Sequence, residues 1–204
     1  MNSYAVLENI RVKNIFDFVD QPVTAYVNDF DDKTIKNLSD CCSRARQSGQ
    51  TILPVVINSP GGMVANLYAM VDILSSSGLI VATVGVGRAA SCGAVLVSFG
   101  TKGYRFAAPN SYFLMHEVSA GEWGKNNELQ STASFVDGVN KRLMEQVSIN
   151  CGHDKDYFKH IIHERGHADM YLTAQEAMNH GLVDRIGMPD LVVRVTAKYE
   201  LIGA

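Results

Sequence analysis

Between Gly78 and Gly100 the chain carries a single charge, Arg88. A run this apolar has to be buried, and few architectures bury it. A hydropathy window would read the stretch as a membrane span. Gly85, Gly87, Gly93 and the central arginine argue against that, since a mid-membrane Arg costs roughly 3 kcal/mol on insertion scales. A strand covered on both faces and followed by a buried helix accounts for the same residues at lower cost. Leu79 to Val84 is the short continuous apolar run expected of such a strand. It feeds through the small-residue turn Gly87-Arg-Ala-Ala-Ser91-Cys-Gly-Ala94 into an apolar helix ending near Phe99.

The surrounding segments alternate in kind. Val23 to Val27 is β-branched and aromatic, a first strand. Asp31 or Asp32 can cap a helix whose apolar positions Ile35, Leu38, Cys42 and Ala45 recur at spacings of three and four, with Gly49 ending it. Ile52 to Ile57 is the next strand, where Pro54 has to sit near its start, at a bulge or at an edge. The turn Asn58-Ser59-Pro60-Gly61-Gly62 leads into a helix with Val64, Leu67, Val71 and Leu74 on one face, closed by Gly78. Tyr104 to Phe106 and Tyr112 to Met115 read as strands around Ala108-Pro109-Asn110. A long polar helix is expected from Asn127 to Asn150 and another from Lys155. Thr173-Ala-Gln-Glu176 is a capping box opening a short third, after which Gly181 precedes a strand from Leu182 to Ile186. Strands alternating with helices give an α/β class with a largely parallel sheet. The strand-strand-helix rhythm of the first half fits a spiral better than a doubly wound sheet. No repeat or linker interrupts residues 1–204, which read as a single domain.

Composition narrows the partners. The 204 residues carry 18 Lys+Arg against 21 Asp+Glu, a formal charge of −3 with no basic run, so nucleic acid is an unexpected partner and a soluble protein the expected state. Cys41, Cys42, Cys92 and Cys151 show no two-residue metal or redox spacing, and reduced thiols in a cytoplasmic setting are expected. Met1 to Asn14 has no unbroken apolar core and does not read as a signal peptide.

Four places invite chemistry. A serine at the strand-to-helix corner, Ser91, has its hydroxyl at a sharp turn with free N–H groups nearby for a developing oxyanion; a plain helix cap would put a serine there too. Position 89 is Ala, so the Gly-x-Ser-x-Gly elbow of α/β-hydrolases is incomplete. Gly61-Gly62 lets the backbone turn tightly and present N–H groups, although such pairs often mark only a turn, and no dinucleotide or triphosphate motif surrounds them. His116 ends an apolar strand, where it can serve as a base near neutral pH or simply be a hydrogen-bonded bystander. His160, His163 and His167 would share one helical face, but Gly166 interrupts it and the order matches no zincin, so a solvated face is preferred and no metal or other cofactor is expected.

Taken together, Ile57-Asn-Ser-Pro-Gly-Gly62, Gly87-Arg-Ala-Ala-Ser-Cys-Gly-Ala94, Phe113-Leu-Met-His116 and Asp169-Met-Tyr-Leu-Thr-Ala-Gln-Glu-Ala177, followed by Gly181-Leu-Val-Asp184, resemble the ClpP family, the proteolytic subunits of the Clp protease. The blocks stand in the family's order across about Val23 to Ile186. The resemblance implies a crotonase-like spiral α/β fold with a protruding helical handle, here about 122–152, and a homo-oligomer of one or two heptameric rings enclosing a proteolytic chamber. It implies Ser91 as nucleophile, His116 as general base and Asp169 as the residue orienting it. Without the resemblance, Asp169 reads as a surface acid. It further implies that the Gly62 and Cys92 N–H groups form the oxyanion hole, with Gly61 and Met63 in the segment that binds substrate as an added strand.

The sequence departs from the family's pattern in places. Glu117-Val118-Ser119 stands where a proline usually follows the histidine by two, and Cys92 where methionine is common. The region Glu122 to Gly152 and the segment Met1 to Asp20 are dissimilar to the family's handle and axial loops, much as in phage-carried members. The implied activity is serine endopeptidase action on unfolded polypeptides or on polypeptides delivered by an AAA+ unfoldase, in the cytoplasm (the host's, if phage-encoded). Trimming of phage capsid or scaffold proteins is the alternative on the same chemistry. An acyl-CoA enzyme of the crotonase type and an inactive ring subunit rank lower.

Overall fold

The computed structural model describes residues 22–121 and 123–191, and the segment Met1 to Asp20 expected to depart from the axial loops lies outside them, as does Glu122. The first strand, β1 (Ala25–Val27), leads to α1 (Asp32–Gln47), where Asp31 Oδ1 accepts from Thr34 N at 2.7 Å. That bond satisfies one of the donors a helix start leaves free. Leu38, Cys41, Cys42 and Ala45 are buried and Ile35 is half-buried, the stripe that the spacing predicts. Then come β2 (Ile52–Ser59), α2 (Val64–Ser76) and β3 (Ile80–Ala90). At Pro54, β2 is bordered by β3 and not yet by β1, whose register begins at Ala25↔Val55, which fits the edge-like position a proline needs.

The apolar stretch is resolved into two elements. The strand β3 is longer than its apolar run: it continues through the glycines to Ala90, and α3 (Cys92–Ser98) starts immediately after Ser91. The small-residue segment expected to be a turn is therefore strand up to Ala90. Its partners explain this. Thr83 to Gly85 pair with β4 (Arg105–Ala107), whereas Arg88 to Ala90 pair with β5 (Tyr112–Met115), both in parallel. The sheet thus forks along β3. Gly85 sits under the fork, where an added Cβ would come within 2.7 Å of the Phe113 ring. Every residue of α3 is buried, and among the described residues no helix is long and apolar enough to cross a membrane.

The remaining elements are α4 (Asn126–Asn150), α5 (Tyr157–Glu164), β6 (Met170–Thr173), α6 (Ala174–Asn179) and β7 (Arg185–Ile186). The strand order is β1-β2-β3-β4-β7, with β5 joined to β3 and β6 to β5. All pairings are parallel except β5–β6, so the fold is α/β with a largely parallel sheet. The expected strand from Leu182 is shorter, Arg185–Ile186; Leu182 and Val183 are buried and serve the core instead. Arg105 is 2% exposed and gives its Nε to Asp184 Oδ2 at 2.9 Å and a terminal nitrogen to Asn150 O at 2.9 Å, tying β4 to the end of α4. The four cysteines are free and buried.

Candidate active site

The forked sheet gathers three strand ends. Ser91 follows the last residue of β3, His116 follows the last residue of β5, and Asp169 precedes the first residue of β6. The antiparallel register runs Tyr112↔Thr173, Phe113↔Leu172, Leu114↔Tyr171 and Met115↔Met170. Continuing that count by one step sets His116 opposite Asp169. Side chains facing each other across antiparallel strands start about 5 Å apart at Cβ, within reach of a hydrogen bond. On the other side of β5, Ala90 pairs with Leu114, and Ser91 N donates to Leu114 O at 2.8 Å. The three residues, scattered in sequence, share one edge of the sheet.

Ser91 is held in an unusual conformation, φ 54° and ψ −124°. Among the described residues only Ser91 and His167 are non-glycine residues with positive φ. Such backbone costs about 1–3 kcal/mol and persists only where the surroundings over-determine it. Here they do. Ser91 N is bonded to β5, Ser91 O accepts from Val95 N at 3.1 Å, and Gly61 lies directly against the serine. A Cβ on Gly61 would fall 2.6 Å from Ser91 Cβ and 3.1 Å from Ser91 Oγ. Gly61 itself has φ 101° and donates its N–H to the buried Ser59 Oγ at 3.1 Å. The need for two glycines after β2 is thus steric as well as conformational: Gly61 makes room for the serine, and a Cβ on Gly62 would meet Phe30 Cβ at 2.8 Å.

A small cleft opens at this edge, lined by Gly62, Val64, Ser91, Cys92, His116, Glu117, Val118, Ser119 and Leu143. Ser91 and His116 are half-buried and Asp169 is exposed. Gly62 and Cys92 flank the serine in the cleft. Cys92 opens α3, so its N–H has no acceptor within the helix. Its thiol turns away from chemistry: Sγ donates to Gly62 O at 3.1 Å, a bond that only the protonated thiol can make, and burial pushes its pKa up. A protonated, 2% exposed thiol is a poor nucleophile. Met63 is 66% exposed at the start of α2 in extended conformation, φ −69° and ψ 129°.

Ser91, His116, Gly62 and Cys92 therefore come together in one cleft and Gly61 lies against Ser91, whereas Asp169 does not line the cleft and stands one step past the last β5–β6 rung, as His116 does on the other strand. Among the described residues no hydrogen bond joins Ser91 Oγ to His116 or His116 to Asp169. Sequence reasoning missed the contributions of Val64, Val118, Ser119 and Leu143 to the cleft, and that of Asn140, whose Oδ1 accepts from Val118 N at 3.0 Å across 22 positions. It also missed β6, although Met170-Tyr-Leu-Thr173 alternates buried and exposed as a half-buried strand does. The three histidines do not share one helical face. The helix α5 ends at Glu164, His167 lies beyond it, and no group of three or more metal-ligating side chains is gathered among the described residues.

A sequence model of the family described as Clp protease matches residues 26–190. The ATP-dependent Clp protease proteolytic subunit 1 of Leifsonia xyli subsp. xyli (strain CTCB07) is 34% identical over 149 residues, 73% of this chain and 74% of that protein. The ATP-dependent Clp protease proteolytic subunit of Ligilactobacillus salivarius (strain UCC118) is 34% identical over 140 residues, 69% of each chain. Subunit 2 of Thermobifida fusca (strain YX) is 34% identical over 134 residues, 66% of this chain and 64% of that protein.

Proposed function

The chain belongs to the Clp protease family and is a serine-type peptidase, and on that premise we propose that Ser91 is its nucleophile, His116 its general base and Asp169 the residue that orients the base. The observation that carries this reading is the common edge: β3, β5 and β6 are neighbours, and each delivers one of the three residues at the same end. His116 takes the Ser91 proton as Oγ attacks a peptide carbonyl. The tetrahedral oxyanion is received by the Gly62 and Cys92 N–H groups, each donor worth about 3 kcal/mol in the transition state. His116 then protonates the leaving amine, and water repeats the cycle on the acyl-enzyme. The bonds from Ser91 to His116 and from His116 to Asp169 form when substrate or assembly closes the site.

The substrate is a polypeptide in extended form. It lies between Gly61 to Met63 and the stretch after His116, adding a strand between two segments that border the cleft. Support comes from the extended backbone at Met63 and from the lone parallel bridge Phe30↔Gly62, which leaves Gly62 at the margin of regular pairing. The chain works as a homo-oligomer of heptameric type with a chamber enclosing the site, fed in the cytoplasm by an AAA+ unfoldase. The family supports oligomeric assembly and an unfoldase partner in general terms.

The test is labelling by a serine-directed fluorophosphonate together with peptide hydrolysis and native mass. Ser91→Ala should abolish labelling, lower hydrolysis by about 10⁴-fold or more and leave the native mass of the wild-type assembly unchanged. Persisting hydrolysis in that variant would defeat the reading.

A further inference from the structure

The β5–β6 ladder is closed by side chains just past its last backbone rung. The register ends at Met115↔Met170, and one further step sets His116 opposite Asp169. Immediately beyond, Glu117 Oε2 accepts from His167 Nδ1 at 2.8 Å. Because a carboxylate only accepts, Nδ1 carries the hydrogen. The two partners thus flank the pair that matters: Glu117 follows His116 directly, and His167 lies two residues before Asp169.

Both partners are braced. His167 has φ 60°, left-handed backbone that histidine adopts more readily than most side chains but still seldom. Its turn is fixed by His167 N donating to Ile162 O at 3.0 Å and Gly166 N to His163 O at 2.9 Å. The His163 ring meets the His167 ring edge-on with centroids 4.9 Å apart. On the other side, Glu117 Oε1 approaches Asn140 Nδ2 of α4 at 3.5 Å, and Asn140 also holds Val118 N. Side chains from α4 and from the turn after α5 thus meet on one partly exposed carboxylate.

Global stability does not explain this bracing. The side chains are 38% and 53% exposed, and a solvated pair of this kind contributes little to folding. What the contact does fix is local: it prevents the ends of β5 and β6 from separating where backbone pairing has stopped. We propose that Glu117 and His167 are positioning residues, a clasp that keeps His116 opposite Asp169. The proposal rests on the reading of those two residues as base and orienter.

The full-length protein is tested by peptide hydrolysis with Glu117→Ala, His167→Gly, the double variant, Glu117→Gln and His167→Asn. Glycine accepts the left-handed backbone at 167, and asparagine keeps both that backbone and a donor. Glu117→Ala and His167→Gly should each lower kcat by about twofold to fivefold, the factor a partly exposed pair can command, with KM within about twofold. Native mass and Tm should stay at wild-type values. The double variant should lose no more than the worse single one, because one contact is lost in all three. Glu117→Gln, still an acceptor, and His167→Asn, still a donor, should recover most of the loss. Unchanged kcat in Glu117→Ala overturns the proposal, as do losses that multiply in the double variant. So does a Glu117→Gln variant as impaired as Glu117→Ala, or a loss of activity that tracks a falling Tm. Activity retained by Ser91→Ala would sink the triad instead, and no clasp variant can give that result.

Discussion

At the scale of single residues, the site is made by atoms that are missing as much as by those present. Gly61 is the clearest case. Alanine there would need a left-handed backbone at φ 101° and would push its methyl against Ser91 Cβ and the Ala90 carbonyl, 2.9 Å away. Ala90 O belongs to the strand and cannot step aside, so Ser91 has to move. Gly61→Ala should destabilise the protein by about 2 kcal/mol and depress fluorophosphonate labelling of Ser91 more than tenfold. Thermal unfolding and labelling rate measure the two effects; wild-type labelling in this variant would mean that the glycine is only a turn. Serine, histidine and the glycine pair were candidates in the sequence because each sits at an element boundary that its own residue type marks, but a plain cap, a bystander histidine and a tight turn fitted the same residues until the family likeness joined them. Asp169 was not. Its neighbours His167 and Ala168 carry no strand or helix signal, and only the family likeness singled it out; in the fold it stands one step past the last paired rung of β5 and β6, Met115↔Met170.

At the scale of elements, boundaries set by local chemistry were readable and those set by pairing were not. The α1 cap at Asp31 follows from side-chain type, and the face of α2 follows in part from spacing: Leu67 and Leu74 are buried, Val64 and Val71 are half-buried, and Met70, which the spacing did not single out, is buried with them. The extension of β3 through Gly85 and Gly87 does not follow, because glycine disfavours strands and the partners on either side set it: Gly85 lies between β2 and β4, and Arg88 to Ala90 pair with β5. The junction of β6 and α6 joins both kinds. Thr173 is the last rung of β6, opposite Tyr112, and the N-cap of α6, with its hydroxyl accepting from Glu176 N at 3.2 Å while Glu176 Oε2 accepts from Thr173 N at 2.8 Å. The capping box was visible in the sequence and concealed the strand that ends on it. Thr173→Ala removes the hydroxyl and leaves the strand; it should cost about 1 kcal/mol and lower Tm by about 2–4 °C in a chain of this length. Differential scanning calorimetry decides it, and a shift under about 0.5 °C would show that the cap carries no load.

At the scale of the whole molecule, one buried ion pair links distant parts. Arg105 and Asp184 join β4 to the segment before β7, while Gly103 N and Arg105 N also donate to Asp184 Oδ2 at 2.7 and 3.1 Å. Burial works against the Asp184 charge, but the hydrogen bonds and positive charge of Arg105 with the two backbone donors outweigh it, and its pKa falls below the ordinary 3.8. A pKa depressed in the folded state means that the unfolded chain binds the proton more readily. The stabilisation is therefore complete above 3.8 and lost as pH drops through the lower folded value. Asp184→Asn should flatten the decline in urea midpoint below about pH 4 and cost about 3 kcal/mol near pH 7, because Arg105 is left buried without its counter-charge. An unchanged acid limb in that variant would assign the loss to other carboxylates. The α/β class was legible from alternating segments, whereas the fork along β3 was not, since it depends on which strand lies beside which half of another.

That fork has a further consequence for how the protein tolerates change. Strand residues alternate between the two sides of a sheet, so a lone extra residue between Tyr112 and Met115 would send the imidazole to the opposite side. The deeper layers around β1, β2 and the first half of β3 would scarcely notice. If His116 is the base proposed above, a miscount of one near the rim would silence the molecule while its interior stays whole.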